Sequence, residues 1–135
     1  MRATGEFEVQ LAPLPLDDQS ADSTLGRLSI NKHFRGDLQA TSKGEMLSAG
    51  FAAKGSAGYV AIERVTGRLH GHTGSFVLQH SGSMNRGALQ LSITVVADSG
   101  TGDLAGLEGK MAINMADGKH CYDFEYKFSE AQPSA

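Results

Sequence analysis

The sequence predicts an all-β fold, a closed eight-stranded antiparallel up-and-down barrel. Apolar residues recur with a period of two along most of the chain, and glycine-rich turns separate the alternating stretches. No window keeps apolar residues at the three-to-four spacing of an amphipathic helix, so no helix is expected to cover the sheet. Closure buries the apolar face and removes both sheet edges. A two-sheet sandwich is the alternative, and the short connections favour the barrel.

The first three predicted strands are residues 3–11, 25–34 and 38–51. The first alternates between an apolar and a polar side, which is typical of a strand with one buried face. Residues 13–24 hold two prolines and three aspartates and are predicted to form a loop. In the second strand the alternation turns Lys32 toward the interior. The third strand shows no clear apolar face, and a bulge is expected near Gly36.

The next three predicted strands are residues 57–70, 74–82 and 88–97. A turn at His72 and Thr73 would place Val65 opposite His80 on the neighbouring strand. One side of this three-stranded unit is then apolar except at Glu63 and His80. These two polar side chains are the main exceptions to an otherwise apolar interior.

The last two predicted strands, residues 110–115 and 120–128, flank the dipeptide Asp117-Gly118. This dipeptide favours a two-residue type I′ turn, because both central residues need positive φ. The turn would pair Met115 with His120, Ile113 with Tyr122 and Met111 with Phe124. All six side chains then share one mostly apolar face, so the turn and the pattern agree.

Length and composition restrict the number of domains and the classes of partner that the protein can bind. The 135 residues suffice for one domain, predicted over residues 1–130, with a disordered tail at 131–135. Twelve basic against fifteen acidic residues give a net charge of -3, which argues against nucleic-acid binding. The single cysteine excludes an internal disulfide. The first residues lack an apolar signal core and no apolar run could span a membrane, so a cytoplasmic protein without membrane contact is expected.

Two glycine-rich stretches carry a resemblance to a known family. The first is residues 67–82, GRLHGHTGSFVLQHSG, with YVAIERVT before it at 59–66; the second is residues 99–109, SGTGDLAGLEG. Nearly the whole chain, from residue 3 to 128, resembles a bacterial family of small uncharacterised single-domain proteins. The resemblance implies an allene oxide cyclase-like barrel, lipocalin-like in topology and similar to plant allene oxide cyclases and dirigent proteins. It implies no agreed function.

Glu63 and His80 are the candidate catalytic residues, and the candidate ligand-binding residues are Tyr59, Glu63, His80 and Tyr122. Glu63 and His80 lie diagonally on neighbouring strands of the apolar face, within reach of long side chains. Burial and direct pairing act in opposite directions on such a pair, a balance that acid-base sites exploit. The alternative is a buried hydrogen-bonded pair that only sets strand register. If Lys32 enters the cavity, the pair becomes a charged triad.

Other motifs give weaker signals. Residues 100–109 have the spacing GxGxxxG without the lysine of a P-loop, so these glycines are interpreted as permitting a tight crossing over one end of the barrel. His70 and His72 lack the further ligands of a metal site. Cys121 falls on the outer charged face and is interpreted as an inert thiol. Neither a metal nor a cofactor is predicted.

The leading hypothesis is a barrel that binds one small, mainly apolar molecule in its mouth, oriented by Glu63 and His80 with help from Tyr59 and Tyr122. The alternative is a cofactor-independent isomerase- or cyclase-like enzyme, with Glu63 as general base and His80 as proton donor. A second alternative is a filled barrel that serves as a structural or interaction module. Homo-oligomers are also expected, because several branched apolar side chains point outward, namely Val60, Ile62, Val77 and Val96.

Overall fold

The computed structural model describes residues 1–17 and 24–129, which form a closed barrel of antiparallel strands joined in chain order. The eight strands are β1 Arg2–Pro13, β2 Leu25–Gly36, β3 Leu38–Phe51, β4 Ser56–Leu69, β5 His72–Asn85, β6 Ala88–Val95, β7 Leu107–Ala116 and β8 Lys119–Phe128. The predicted fold class is confirmed. In the described ranges no helix has the length and apolar character needed to cross a membrane. The tail predicted at 131–135 and residues 18–23 of the predicted loop lie outside the described residues.

The β7–β8 hairpin has the predicted register. Met115 pairs with His120 and Ile113 with Tyr122. The φ angles at positions 117 and 118 are 52° and 76°, the positive values that a type I′ turn needs. A local turn preference and a face of alternating apolar residues were sufficient to predict this hairpin.

The turn between β4 and β5 differs from the prediction. The residues at the turn are His70 and Gly71, with φ of 47° and 83°, and not His72 and Thr73. His72 is already the first residue of β5. Gly71 adopts positive φ without a steric penalty, which explains why the turn lies there.

The corrected turn changes partners but not faces. His80 lies opposite Ala61 instead of Val65, so each partner moves by four residues. Because side chains alternate with a period of two, an even shift leaves every side chain on its predicted face. Glu63 and His80 therefore both point into the barrel, where they are 0% and 3% exposed.

β2 and β3 pair without interruption from the Leu25/Ala49 pair to the Phe34/Ala40 pair. The bulge expected near Gly36 is not present in this ladder, and Gly36, the last residue of β2, adopts a φ of 100°. The third strand does have an inward face, made of Leu38, Ala40, Ser42, Gly44, Met46 and Ser48. Small and polar side chains dominate this face, so it gave a weak signal in the sequence.

One end of the barrel, here called the closed end, is filled by aromatic rings. Phe76 stacks on Phe124 with centroids 5.8 Å apart, and Phe124 stacks on Tyr126 at 5.4 Å. The connection from β6 to β7 runs beside β5 and buries Leu104, which is 1% exposed. These side chains fill the interior of the barrel at the closed end.

Glycine allows that connection to approach β5 closely. A Cβ at Gly74 would lie 2.0 Å from the carbonyl oxygen of Thr101, and a Cβ at Gly100 would lie 1.9 Å from that of Leu104. The glycines of residues 100–109 thus support a tight crossing over one end of the barrel, as predicted.

Tyr122 holds the β2–β3 connection at the closed end. Its hydroxyl donates to the carbonyl oxygen of Arg35 at 2.7 Å and accepts from the N–H of Leu38 at 2.9 Å. Burial raises the pKa of Tyr122, so the hydroxyl stays protonated and able to donate.

Removing this hydroxyl should weaken the fold. We expect Tyr122→Phe to lower the free energy of unfolding by about 1–2 kcal/mol, because two backbone groups lose their partner. Urea denaturation measures the change. Tyr59→Phe is the matched control, since the Tyr59 hydroxyl forms no hydrogen bond with a described residue. Equal stability of the two variants would contradict a stabilising role for the Tyr122 hydroxyl.

Candidate functional site

Glu63 lies at the centre of the barrel, and its carboxylate is held by three donors. Lys32 Nζ is 2.9 Å from Oε1, His80 Nε2 is 2.7 Å from the same oxygen, and Ser42 Oγ is 2.6 Å from Oε2. All four side chains are buried. We call these four residues, contributed by β2, β3, β4 and β5, the charged cluster.

These donors keep Glu63 ionised. Burial by itself raises the pKa of Glu63, but the hydrogen bond from His80, the charge of Lys32 and the hydroxyl of Ser42 outweigh burial and lower the pKa from 4.5 to about 2. A carboxylate with so low a pKa is a poor proton acceptor near neutral pH. The chemistry therefore suits Glu63 to orienting its neighbours better than to serving as a general base.

Lys32 enters the interior and joins the Glu63/His80 pair. The alternation of β2 places it on the same face as Ile30 and Phe34, both of which are buried. Its ammonium group lies 5.0 Å from the ring centroid of Phe7 and 5.8 Å from that of Phe34, in addition to its contact with Glu63. The ion pair and the ring faces together compensate for the lost hydration of this buried cation.

His80 presents one ring nitrogen, Nε2, to Glu63, and its side chain is only 4% exposed. Because Glu63 is ionised and accepts, Nε2 carries the proton of this hydrogen bond, and Nδ1 is left as an acceptor in the neutral ring. Nδ1 forms no hydrogen bond with a described residue. In the described ranges, every side-chain nitrogen or oxygen that is fully buried has a hydrogen-bond partner. Nδ1 is therefore not fully enclosed by the described residues.

Tyr59 lies next to the charged cluster on the mouth side. Its ring rests against Gly82, where a Cβ would sit 2.2 Å from Cε1, so the ring fills the space beside this glycine. The ring centroid is 6.4 Å from that of His80. Burial and the negative charge of Glu63 raise the pKa of Tyr59, so its half-buried hydroxyl stays protonated.

The end of the barrel opposite the closed end is an apolar mouth. The β1–β2, β3–β4, β5–β6 and β7–β8 connections lie there. Several inward-facing apolar side chains are exposed around its rim, namely Leu11, Met84, Leu89, Leu91 and Met115. One layer deeper, Ile93 and Met111 are buried on the same faces. The apolar lining thus continues from the rim into the interior.

The barrel wall opens beside the mouth, where β6 and β7 diverge. In the described chain a single residue pair, Thr94 with Lys110, joins these two strands, whereas eight pairs join β5 to β6. A cleft of about 430 Å³ lies between them and is lined by Ile93, Met111 and Ile113 among others. The strand pairing of the barrel wall is therefore weakest between β6 and β7.

Three other inward-facing aromatic side chains, Tyr122, Tyr126 and His120, have different contacts. The Tyr122 hydroxyl is bound to the backbone at the closed end, and its role in ligand binding stays a prediction. The Tyr126 hydroxyl is hydrogen-bonded to Nδ1 of His70. His120 stacks on Phe7 with centroids 5.1 Å apart. The structure thus brings Tyr59, Glu63 and His80 together but uses the Tyr122 hydroxyl elsewhere.

The described residues contain no group of three His, Cys, Asp or Glu side chains that could hold a metal ion. His70 contacts Tyr126 and lies 3.6 Å from Asp37, whereas His72 contacts the backbone of Leu69. Cys121 is a half-buried free thiol. These side chains do not converge on a shared centre.

Ser42 is the member of the charged cluster that the sequence analysis missed. It lies directly opposite Lys32 in the β2–β3 ladder. Cross-strand partners share a face, so an inward Lys32 requires an inward Ser42 once the register is known. The signal was the register of this hairpin, which the expected bulge near Gly36 obscured.

The fold and the site define a closed antiparallel barrel with a buried charged cluster beneath an apolar mouth. More particularly, the chain belongs to the family DUF3224, described as proteins of unknown function, which it matches over residues 3–126. It is similar to a protein with unknown function from Shewanella oneidensis MR-1 whose crystal structure is known. The two chains are 49% identical over 97% of this chain and 98% of that one, with a TM-score of 0.92. No curated protein matches the chain.

Proposed function

We propose that the barrel binds one small, mainly apolar molecule in its mouth and recognises a hydrogen-bond donor on that molecule, such as a hydroxyl group, through His80. The observation that carries this proposal is the Nδ1 of His80, which has no hydrogen-bond partner among the described residues and lies in the charged cluster beneath the apolar mouth. An oriented acceptor in apolar surroundings selects strongly for a matching donor, because an unmatched polar group would be left without a partner.

Glu63 acts through His80 in this proposal. Glu63 is fully buried and its oxygens are occupied, so it fixes the tautomer and orientation of the imidazole without touching the ligand. Tyr59 is half-buried on the mouth side and contributes a free hydroxyl. A ligand hydroxyl could donate to Nδ1 of His80 while accepting from Tyr59.

The apolar side chains at the rim support the same proposal. Exposed inward-facing leucine and methionine side chains favour an apolar ligand body. The likeness to allene oxide cyclase-like barrels fits a binding mouth but does not carry the argument, since a fold does not transmit function.

We infer a cytoplasmic protein, in keeping with the expectation from the sequence.

Paired probes test the proposal. We expect 1-naphthol to bind the full chain about tenfold more tightly than 1-methylnaphthalene, and His80→Phe to abolish this difference while it leaves the weaker binding unchanged. Isothermal titration calorimetry measures both. Ser81→Ala, an outward-facing neighbour on β5, is the control. Absence of binding by both probes, or the same preference in His80→Phe, would refute the proposal.

The orientation of His80 by an ionised carboxylate also favours a second candidate function, proton abstraction. Nδ1 would take a proton from the α-carbon of a bound ketone, giving an enolate and an imidazolium, and Tyr59 would donate to the enolate oxygen. Deuterium uptake from D₂O into 2-tetralone, followed by mass spectrometry, tests this step. Uptake that His80→Gln abolishes supports catalysis, and uptake at the rate of buffer alone contradicts it.

A further inference from the structure

The outer wall carries two different charge patterns. On β1, β2, β7 and β8 every outward-facing lysine and arginine has a carboxylate partner, namely Arg2, Arg27, Arg35, Lys110, Lys119 and Lys127. On β3 and β4, Lys43, Arg64 and Arg68 are exposed, and none of them forms an ion pair with a described residue. The sequences of β5 and β6 hold no Lys, Arg, Asp or Glu. One side of the barrel thus has uncompensated positive charge.

Two of these cations are adjacent. Lys43 and Arg64 are direct cross-strand partners in the β3–β4 ladder. On their other sides they face Asn31 and Val77, so neither flanking strand supplies an acid. Like charges in this position destabilise a sheet. A chain with more acidic than basic residues therefore keeps an unfavourable pair at one place on its surface.

The wall next to this pair is apolar and concave. Leu47 and Val60 are cross-strand partners, and Ile62 lies between Val60 and Arg64 along β4. Leu47, Val60 and Ile62 are 51%, 55% and 51% exposed. With Lys43 and Arg64 they line a concavity of about 1060 Å³, which we call the outer groove.

We propose that the outer groove binds an extended segment of a protein partner whose apolar and acidic side chains lie on one face. An acidic side chain would neutralise the Lys43/Arg64 pair, and the apolar ones would cover the exposed wall. Val60, Ile62 and Arg64 recur at every second residue, roughly 7 Å apart, which matches the spacing of side chains on one face of an extended segment. This inference is independent of any ligand in the mouth.

A second copy of this chain fits the outer groove less well. A twofold axis at the Lys43/Arg64 pair would bring the pairs of both copies together, so like charges would meet, and an axis elsewhere in the groove would leave both pairs without an acidic partner. Glu45 is the one acid lining the groove, and Arg27 already holds it with contacts of 2.7 and 2.5 Å. The charge of the groove is better complemented by an acidic partner of a different kind.

A labelled peptide tests the proposal on the full chain by fluorescence anisotropy. Its sequence places Leu, Leu and Asp at alternate positions, with Ser between them, so that they share one face when extended. We expect saturable binding that weakens with added salt. Arg64→Glu combined with Lys43→Glu should weaken it about tenfold or more, and Ile62→Ser should also weaken it.

Three controls make the outcome decisive. A peptide with Lys in place of Asp, or with Asp moved by one position onto the other face, should bind more weakly by a similar factor. Lys110→Glu combined with Lys127→Glu alters ion-paired cations on β7 and β8 and should leave binding unchanged. No binding, or equal binding by the groove variant, overturns the proposal. Self-association in analytical ultracentrifugation that Arg64→Glu abolishes would also overturn it, in favour of a second copy.

Discussion

Glu63→Gln is expected to lower the free energy of unfolding by about 3–5 kcal/mol. The substitution removes the carboxylate but leaves Lys32, whose side chain is 6% exposed, buried without a compensating negative charge. Glutamine has nearly the same volume as glutamate, so the loss reports charge and hydrogen bonding and not a cavity. Guanidinium denaturation followed by circular dichroism measures the change.

A matched variant separates this effect from a general sensitivity to loss of carboxylates. Glu125→Gln removes an exposed carboxylate on β8 that lies 3.8 Å from Lys110 and should give no measurable change. Adding Lys32→Met to Glu63→Gln should restore part of the lost stability, because the unpaired charge is then gone. If Glu63→Gln proved as stable as Glu125→Gln, the charged cluster would not support the fold.

The stability of the protein should fall steeply in acid. The pKa of Glu63 is about 2 in the folded chain, below its ordinary value of 4.5. The unfolded chain therefore binds this proton at higher pH than the folded chain does, and protonation favours unfolding. The contribution is fully present above about pH 4.5 and is lost as pH falls toward 2. It amounts to roughly 3 kcal/mol.

Denaturant unfolding at a series of pH values checks this expectation. The difference in unfolding free energy between wild type and Glu63→Gln should be largest above pH 4.5 and should shrink steadily below it. Asp123, whose pKa is lowered by its exposed contact with Arg2, gives a comparison on the surface. Asp123→Asn should leave the acid dependence of the wild type largely intact. A difference between wild type and Glu63→Gln that did not vary with pH would contradict the pKa assignment.

Local signals accounted for the fold and for the faces of most side chains. Asp117-Gly118 specified the β7–β8 register, because that turn type accepts few other dipeptides. The position of the β4–β5 turn was wrong by two residues, yet Glu63 and His80 still fell on the inner face. A register error of an even number of residues leaves every side chain on its predicted face, because side chains alternate with a period of two. The predicted faces of Glu63 and His80 were therefore correct.

By itself, the sequence determined that the chain alternates with a period of two, predicted no amphipathic helix to cover a sheet and placed Glu63 and His80 on one apolar face. Only the tertiary structure decided that Lys32 and Ser42 complete the cluster and that the Nδ1 of His80 has no hydrogen-bond partner among the described residues. The tertiary structure was also needed to show that the cations on β3 and β4 form no ion pair with a described residue. The reason is physical: alternation tells which face a side chain occupies, whereas ion pairs depend on the register and closure of strands that are distant in sequence.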